Sequence, residues 1–170
     1  MVHRMKKNKD CKPAGNVSFL LLLAAITLLQ PACGPRYLTE EEKDITNGLW
    51  AYTDTLNFRF AVSDTSEIYG IYLDFEYADT FSSQNIYVNL HTVFPDGKRL
   101  SKQKSFDFFD DQGKPLGKCS GGKCRLRAVL QERTIFNQPG EYVIGLEQYT
   151  RSNPLPGIYS VGLAIPGSER

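Results

Sequence analysis

Residues 71–77 have the sequence Ile-Tyr-Leu-Asp-Phe-Glu-Tyr, in which apolar side chains occupy every second position. Successive side chains of a β-strand point to opposite faces of a sheet, so this alternation predicts a strand with one buried and one solvated face. Residues 56–62 and residues 86–94 show the same alternation. Three half-buried strands in succession predict antiparallel sheets.

Four further strands are expected, with turn residues between them. They span about residues 99–108, 125–136, 141–149 and 158–165. Segment 125–136 is ambiguous, because a helical turn is the alternative there. About seven or eight short strands separated by turns predict an all-β fold, an antiparallel two-sheet β-sandwich that is either immunoglobulin-like or jelly-roll-like. We expect residues 47–170 to form this single domain.

Residues 1–32 are predicted to be a lipoprotein signal peptide. A basic stretch precedes the mostly apolar residues 17–29, which would extend only about 20 Å as a helix and are too short to span a bilayer. Ala32-Cys33 follows, and a small residue before a cysteine at this point resembles the lipobox of bacterial lipoproteins. Cys33 would then carry the lipid, and residues 33–46 would form a lipidated tether. The alternative is an ordinary secreted protein with an incidental cysteine.

The charge of the chain is divided unevenly between this leader and the remainder. The leader holds five basic residues and one acidic residue, which leaves 15 basic and 18 acidic residues from position 33 onward. A mildly acidic domain has no electrostatic field to attract nucleic acid, so nucleic-acid binding is not expected. Aromatic residues make up 12% of the chain, which is too many for a disordered polypeptide.

Cys119-Ser-Gly-Gly-Lys-Cys124 is predicted to form a disulfide. The two glycines allow the flanking residues to fold back on each other, and an exported protein is in an oxidising compartment. Zinc is the alternative, but it would need two more ligands, and His91 is the only histidine outside the leader. No metal site and no cofactor are therefore predicted.

Catalytic motifs are absent from the sequence. It contains no Gly-x-Ser-x-Gly motif, no unpaired cysteine to combine with His91 and no phosphate-binding loop after a strand. No catalytic residue is assigned and no small-molecule substrate is expected. A group of aromatic residues could act as a sugar-binding platform, or could equally form cross-strand pairs that stabilise the sheet. This group comprises Trp50, Tyr69, Tyr72 and Tyr87.

The C-terminal third resembles a known family. Residues 140–148, with the sequence Gly-Glu-Tyr-Val-Ile-Gly-Leu-Glu-Gln, are followed by Arg151 and then by Asn-Pro-Leu-Pro-Gly-Ile at 153–158. This pattern resembles the GldH family, which are gliding-motility lipoproteins of Bacteroidetes. Asn-Gly-Leu-Trp at 47–50 and Phe-Pro-Asp-Gly-Lys at 94–98 match upstream in the same order. The chain departs from the family where Tyr-Thr follows residue 148 and where a proline precedes Leu-Gly at 116–117.

The resemblance implies a non-enzymatic lipoprotein of the cell envelope, an accessory or scaffold component of the gliding machinery that overlaps with type IX secretion. Its expected partners are the membrane, through the lipid anchor, and envelope proteins of this apparatus. Because Glu40 is the first acidic residue after Cys33, we expect the domain to face the periplasm. Tyr149 and Arg151 are the candidate partner-binding residues. A surface lipoprotein that binds glycans through sheet-face aromatic residues is the alternative.

Lipidation of Cys33 is directly testable. Cells that express the wild-type chain should incorporate labelled palmitate into it, and cells that express Cys33→Ser should not, because the acyl acceptor is the thiol. A mature protein that begins elsewhere and retains a free Cys33 thiol would contradict the anchor.

Overall fold

Strands account for most of residues 37–167, which are the residues that the computed structural model describes. Within this range the chain forms eleven strands and a single 3-10 turn, Thr46–Gly48. The strands are β1 (Tyr37–Asp44), β2 (Leu49–Trp50), β3 (Leu56–Val62), β4 (Tyr69–Ala78), β5 (Asn85–Val93), β6 (Arg99–Asp107), β7 (Lys118–Ser120), β8 (Lys123–Thr134), β9 (Gly140–Gln148), β10 (Leu155–Pro156) and β11 (Ile158–Pro166). The predicted all-β class is confirmed, and residues 125–134 belong to a strand.

The strands form two antiparallel sheets that face each other as a sandwich. One sheet has the order β1-β11-β4-β8-β7 and the other β3-β9-β5-β6, while β2 and β10 form a separate two-stranded ribbon. Eight of the strands pair in a nested series, with β5–β6 innermost, then β4–β8, β3–β9 and β1–β11. This nested order is the connectivity of a jelly roll. The additional strands β2, β7 and β10 are only two or three residues long.

The tether predicted for residues 33–46 needs correction. Residues 37–44 form β1 and pair with β11 along their length, so the folded domain includes residues from Tyr37 onward and does not start at residue 47. The Glu-Glu-Glu run at 40–42 shows no apolar alternation, because β1 is an edge strand that is only partly covered. The predicted signal peptide and Cys33 lie outside the described residues.

The two ends of the sandwich carry different segments. At the lower end lie the start of β1, the end of β11 and the turns 63–68, 94–98 and 135–139. At the upper end lie the connections 45–55, 79–84, 108–117 and 149–157. This assignment follows from the antiparallel pairing of every neighbouring pair of strands.

Aromatic side chains from both sheets fill the space between them. The ring centroids of Phe75 on β4 and Phe106 on β6 are 5.5 Å apart, and those of Tyr77 and Phe108 are 4.8 Å apart in an edge-to-face arrangement. Each such contact adds about 0.5–1.5 kcal/mol to the free energy gained by burying the rings. The alternating apolar residues of β3, β4 and β9 therefore stabilise the sandwich by packing against the opposite sheet.

Ion pairs occupy the outer face of the five-stranded sheet. The Glu76 carboxylate lies 2.5 Å from Lys123 Nζ and 2.8 Å from Arg125 Nη2, and Asp74 pairs with Arg127 at 2.7 Å. Hydrogen bonds from Lys123 and Arg125 hold the pKa of the Glu76 carboxyl below its ordinary value. These side chains of opposite charge pair with one another across β4 and β8, so the charges on this face of the sheet neutralise each other.

The predicted Cys119–Cys124 disulfide is present and closes the β7–β8 hairpin. Gly121 and Gly122 form the turn with φ values of 61° and 82°, which a glycine adopts without steric penalty. Cys124 is buried against the core, whereas Cys119 is exposed.

Loss of this disulfide should lower the free energy of unfolding by about 2 kcal/mol, because the bond restricts a short loop in the unfolded chain. Urea unfolding of Cys119→Ser, which leaves the buried Cys124 in place, measures the effect against the wild type, with Ser120→Ala as the control. The wild type under reducing conditions should match Cys119→Ser. Equal stability of all the proteins would contradict the prediction.

Candidate functional site

A cleft of about 760 Å³ lies on the outer face of the four-stranded sheet at its upper end. Three exposed tyrosines line it, namely Tyr52, Tyr87 and Tyr149, together with Arg151. The two predicted partner-binding residues therefore lie in one cleft, and the structure adds two tyrosines to them. Tyr87 comes from β5, while the other three residues come from the connections that precede β3 and follow β9.

Hydrogen bonds hold the segment after β9 in place. The amide N–H of Tyr149 donates to the carbonyl of Tyr87 at 2.8 Å, which extends the β5–β9 ladder by one residue. On the other side, the amide N–H of Tyr52 donates to Asn153 Oδ1 at 2.9 Å, and the Tyr52 hydroxyl donates to the carbonyl of Thr150. The cleft is thus formed by loops that are bonded to each other across about 100 residues of sequence.

The buried side-chain amide of Gln148 holds the segment after β9 in place through hydrogen bonds. Its Oε1 accepts hydrogen bonds from the Thr150 amide N–H at 2.9 Å and from the Thr150 hydroxyl at 2.8 Å, and its Nε2 donates to the carbonyl of Ser152 at 3.2 Å. The side chain is only 1% exposed. A buried polar group is stable only when it is hydrogen-bonded, and here the bonds fix the course of the loop.

The β2–β10 ribbon closes the base of the loop. Leu155 pairs with Trp50, and the Trp50 indole N–H donates to the carbonyl of Asp54 at 2.8 Å. Trp50 is fully buried, so its ring anchors the connection that carries Tyr52. The Asn153–Pro154 peptide bond within this loop is cis.

Arg151 is available to a ligand. Its side chain is exposed, and within residues 37–167 no hydrogen bond or ion pair involves it. It lines the cleft together with the three exposed tyrosines. An exposed arginine among aromatic rings on a rigid loop is typical of the residues that dominate binding energy at protein interfaces.

A second polar group lies beside the cleft, on the same sheet face. His91 Nδ1 is 2.7 Å from Ser101 Oγ, and His91 Nε2 is 3.1 Å from Glu147 Oε2, an ion-pair distance that lacks the direction of a hydrogen bond. Contact with the His91 ring holds the pKa of the Glu147 carboxyl below its ordinary value, with a further contribution from the Thr55 hydroxyl, although burial acts in the opposite direction.

This serine, histidine and glutamate differ from a hydrolase triad. In that template the nucleophilic serine faces Nε2 and the carboxylate faces Nδ1, whereas here the two partners are exchanged. Ser101 also lies within the regular β5–β6 ladder opposite His91, and not on the sharp turn that exposes a nucleophile. We assign the group to cross-strand bonding.

The sugar-binding platform considered from the sequence is wrong for two of its four members. Trp50 and Tyr69 are buried, because Trp50 anchors the ribbon and Tyr69 shares the inward face of β4 with Ile71. Tyr72 is half-buried on the outer face of the other sheet, where Arg127 lies over its ring. Only Tyr87 is exposed at the cleft, so the four residues do not share a surface.

Two residues of the cleft were missed in the sequence analysis. On β9 the side chains of Tyr142, Ile144 and Leu146 point inward, and Gln148 is the next inward position. A polar residue where the alternation predicts a buried one could have marked Gln148 as a structural hydrogen-bonding residue. Tyr52 carried no signal, because its place in the cleft depends on contacts with residues about 100 positions away.

The described residues contain neither a cluster of metal-ligating side chains nor a helix that could cross a membrane. In residues 37–167, no group of three or more His, Cys, Asp or Glu side chains is arranged to hold a metal ion. Within the same range, no helix is long and apolar enough to cross a membrane.

The nested sandwich and its upper cleft define a jelly-roll domain that presents a recessed, tyrosine-rich surface. The chain belongs to the GldH lipoprotein family, whose model matches residues 37–165. It is similar to a gliding motility lipoprotein GldH homolog of Christiangramia forsetii, with 23% identity over 149 residues that cover 84% of this chain and 91% of the relative. The family predicted from the sequence is therefore confirmed.

The chain also aligns with two solved proteins of other kinds. The carbohydrate-binding module CBM28, specific for non-crystalline cellulose, aligns with a TM-score of 0.42 and 13% identity over 76% of this chain and 73% of the module. Latent PorU from Porphyromonas gingivalis aligns with a TM-score of 0.32 and 9% identity over 81% of this chain and 14% of PorU.

Family membership establishes the general role of the protein. It is a gliding-motility-related lipoprotein, which places it in the cell envelope with a membrane anchor and with partners in the motility machinery.

Replacement of Gln148 by leucine should destabilise the cleft loop. The Thr150 amide and the Ser152 carbonyl would lose their partner, and an unpaired buried polar group costs about 1–3 kcal/mol. Urea unfolding should show a loss in this range, and hydrogen exchange should show faster exchange at the Thr150 amide. The control, Gln103→Leu on an exposed position of the same cleft, should change stability by less than about 0.5 kcal/mol. Unchanged exchange at Thr150 would refute the role of Gln148.

Proposed function

We propose that this protein is a non-enzymatic accessory or scaffold lipoprotein of the gliding and type IX secretion machinery, and that it binds an envelope protein through the upper cleft. The observation that supports this most directly is the grouping of three exposed tyrosines with Arg151 on a loop held by buried hydrogen bonds. Rigid aromatic and arginine side chains contribute binding energy at a small entropic cost.

The anchor in this proposal is the lipidated Cys33. Three residues, Gly34, Pro35 and Arg36, separate it from the start of β1, and even a fully extended chain of this length reaches only about 14 Å. The lower end of the sandwich would therefore lie close to the membrane. The cleft is at the other end of strands that are about 25 Å long, so it faces away from the bilayer.

The periplasmic side is proposed for the domain on the basis of its sequence after Cys33. Gly34 to Thr39 contain no acidic residue, and the acidic run begins only at Glu40. In the structure, Glu40 to Glu42 belong to β1, and Glu42 accepts a hydrogen bond from the Ser160 hydroxyl, so this run has a role within the sheet.

Arg151→Ala and Tyr149→Ala should each reduce partner recovery about tenfold or more while folding and lipidation remain intact. A central arginine or tyrosine at an interface contributes about 2 kcal/mol or more, which is a factor of about 30 and so accounts for a loss of at least tenfold. The measurement is affinity purification of the lipidated protein from native envelopes, with quantitative mass spectrometry of the partners it retains.

Arg133→Ala, at an exposed position near the lower end of β8, is the matched control and should retain the partners. His91→Ala should also leave recovery close to that of the wild type. The scaffold function would be overturned by full loss of function from His91→Ala, in a protein that remains folded and anchored, together with normal recovery from Arg151→Ala.

A further inference from the structure

A second cavity, of about 610 Å³, opens between the two sheets at the lower end of the sandwich. It exists because the sheets are not joined along one side. Strand β7 pairs with β8 only as far as Arg125, so the rest of β8 forms the edge of one sheet, and β6 forms the edge of the other. The volume is within the range of about 300–1,000 Å³ that is typical of small-molecule sites.

The floor of this cavity is apolar. Tyr142 packs against Phe136 in a tilted arrangement with ring centroids 4.9 Å apart and lies edge-on to Phe94 at 5.8 Å, and Leu90 and Ile144 complete the surface. Leu90 and Phe94 are only half-buried although they are on the inward face of β5 and its extension. The core is thus incompletely covered here, and an apolar ligand would cover it.

Lysines line the wall that β6 contributes to the cavity. Lys104 spans the gap between the sheets and donates from Nζ to the carbonyls of Val129 and Leu130, which closes the upper end of the cavity. Lys98 pairs with Asp96 at 2.9 Å. Lys102 lies between them, opposite Leu90 in the β5–β6 ladder, and within residues 37–167 no carboxylate pairs with it.

The open mouth of the cavity is at the membrane-facing end. Leu100 and Ile135 flank it and are 46% and 56% exposed, which is unusual for large aliphatic side chains beside a core. The start of β1 is at this same end, and three residues separate it from Cys33. The position of the mouth next to the bilayer depends on the anchor proposed above, whereas the cavity and its lysines do not.

We propose that this cavity binds the acyl chain of a free anionic single-chain lipid drawn from the membrane, with the chain against Leu90, Phe94 and Tyr142 and the anionic head group at Lys102. The apolar floor selects a hydrocarbon chain, and the unpaired lysine at the wall selects a negative head group. Inward-pointing lysines can also protect an edge strand from pairing with another chain, so the experiment must separate the two roles.

The probe is a palmitate analogue that carries a photoactivatable diazirine in the middle of its chain. It is added to phosphatidylethanolamine–phosphatidylglycerol vesicles that contain the lipidated wild-type protein. After irradiation, mass spectrometry should locate the probe on peptides that contain residues 88–94, 128–136 and 142–146. The analogue with an alcohol in place of the carboxylate should label these peptides about fivefold less, since the partly exposed ion pair contributes about 1 kcal/mol.

Two variants test the site. Lys102→Glu should reduce carboxylate labelling about fivefold or more and leave alcohol labelling unchanged, and Thr92→Trp should fill the cavity and abolish both. The matched control is Lys118→Glu, at an exposed position of β7 on the other sheet, which should label like the wild type. Equal labelling by both probes, or no effect of Lys102→Glu, would leave the lysine as edge protection only and overturn the proposal.

The remaining outcomes are also decisive. If the wild type is not labelled but Cys33→Ser is, the cavity holds the protein's own acyl chain and the proposal of a free lipid is wrong. If the probe appears only on exposed surfaces such as Leu116, the cavity is not a site. Arg151→Ala should label normally, so failure of the cleft proposal and failure of the cavity proposal give different results.

Discussion

Strand β11 pairs on both of its edges, with β1 on one side and β4 on the other, and the arrangement of the sandwich depends on this double pairing. Val161, Leu163 and Ile165 point into the core and are almost completely buried. On the outer face, Gly162 lies close to both neighbouring strands, since a Cβ there would be in ordinary van der Waals contact, at 3.4 Å, with the Glu41 carbonyl oxygen of β1 and with Asp74 Cβ of β4. Strand β11 thus packs its large side chains into the core while both of its edges are hydrogen-bonded to neighbouring strands.

The same nested pairing separates the two surfaces of interest. Connections between the sheets cross at the upper end before β3 and after β9, where they bring Tyr52 and Tyr149 together from distant parts of the sequence. At the lower end, within residues 37–167, only the turns 63–68 and 135–139 cross between the sheets, and the side between β6 and β8 stays open. The cleft therefore lies where the chain crosses from one sheet to the other, and the cavity lies where no connection joins the two sheets.

The half-buried strands could be predicted from the sequence because each one carries its own alternation, as in residues 56–62 and 71–77. Strand β1 could not be predicted in this way, since its residues are mostly polar and it forms a strand by pairing with β11, about 120 positions away in the sequence. The disulfide was predictable from local spacing. Tyr69 was misassigned although its position relative to Ile71 already placed both on one face of β4.

Strand β1 also determines how the domain would respond to force. It begins at the lower end of the sandwich and ends with Asp44 at the upper end, which is also the end that carries the cleft. A pull between the membrane anchor and a partner in the cleft would act along the strands. It would load the β1–β11 hydrogen bonds in shear, all at the same time, and not one after another as in unzipping. The nested fold therefore suits a component that has to transmit tension without losing its edge strand.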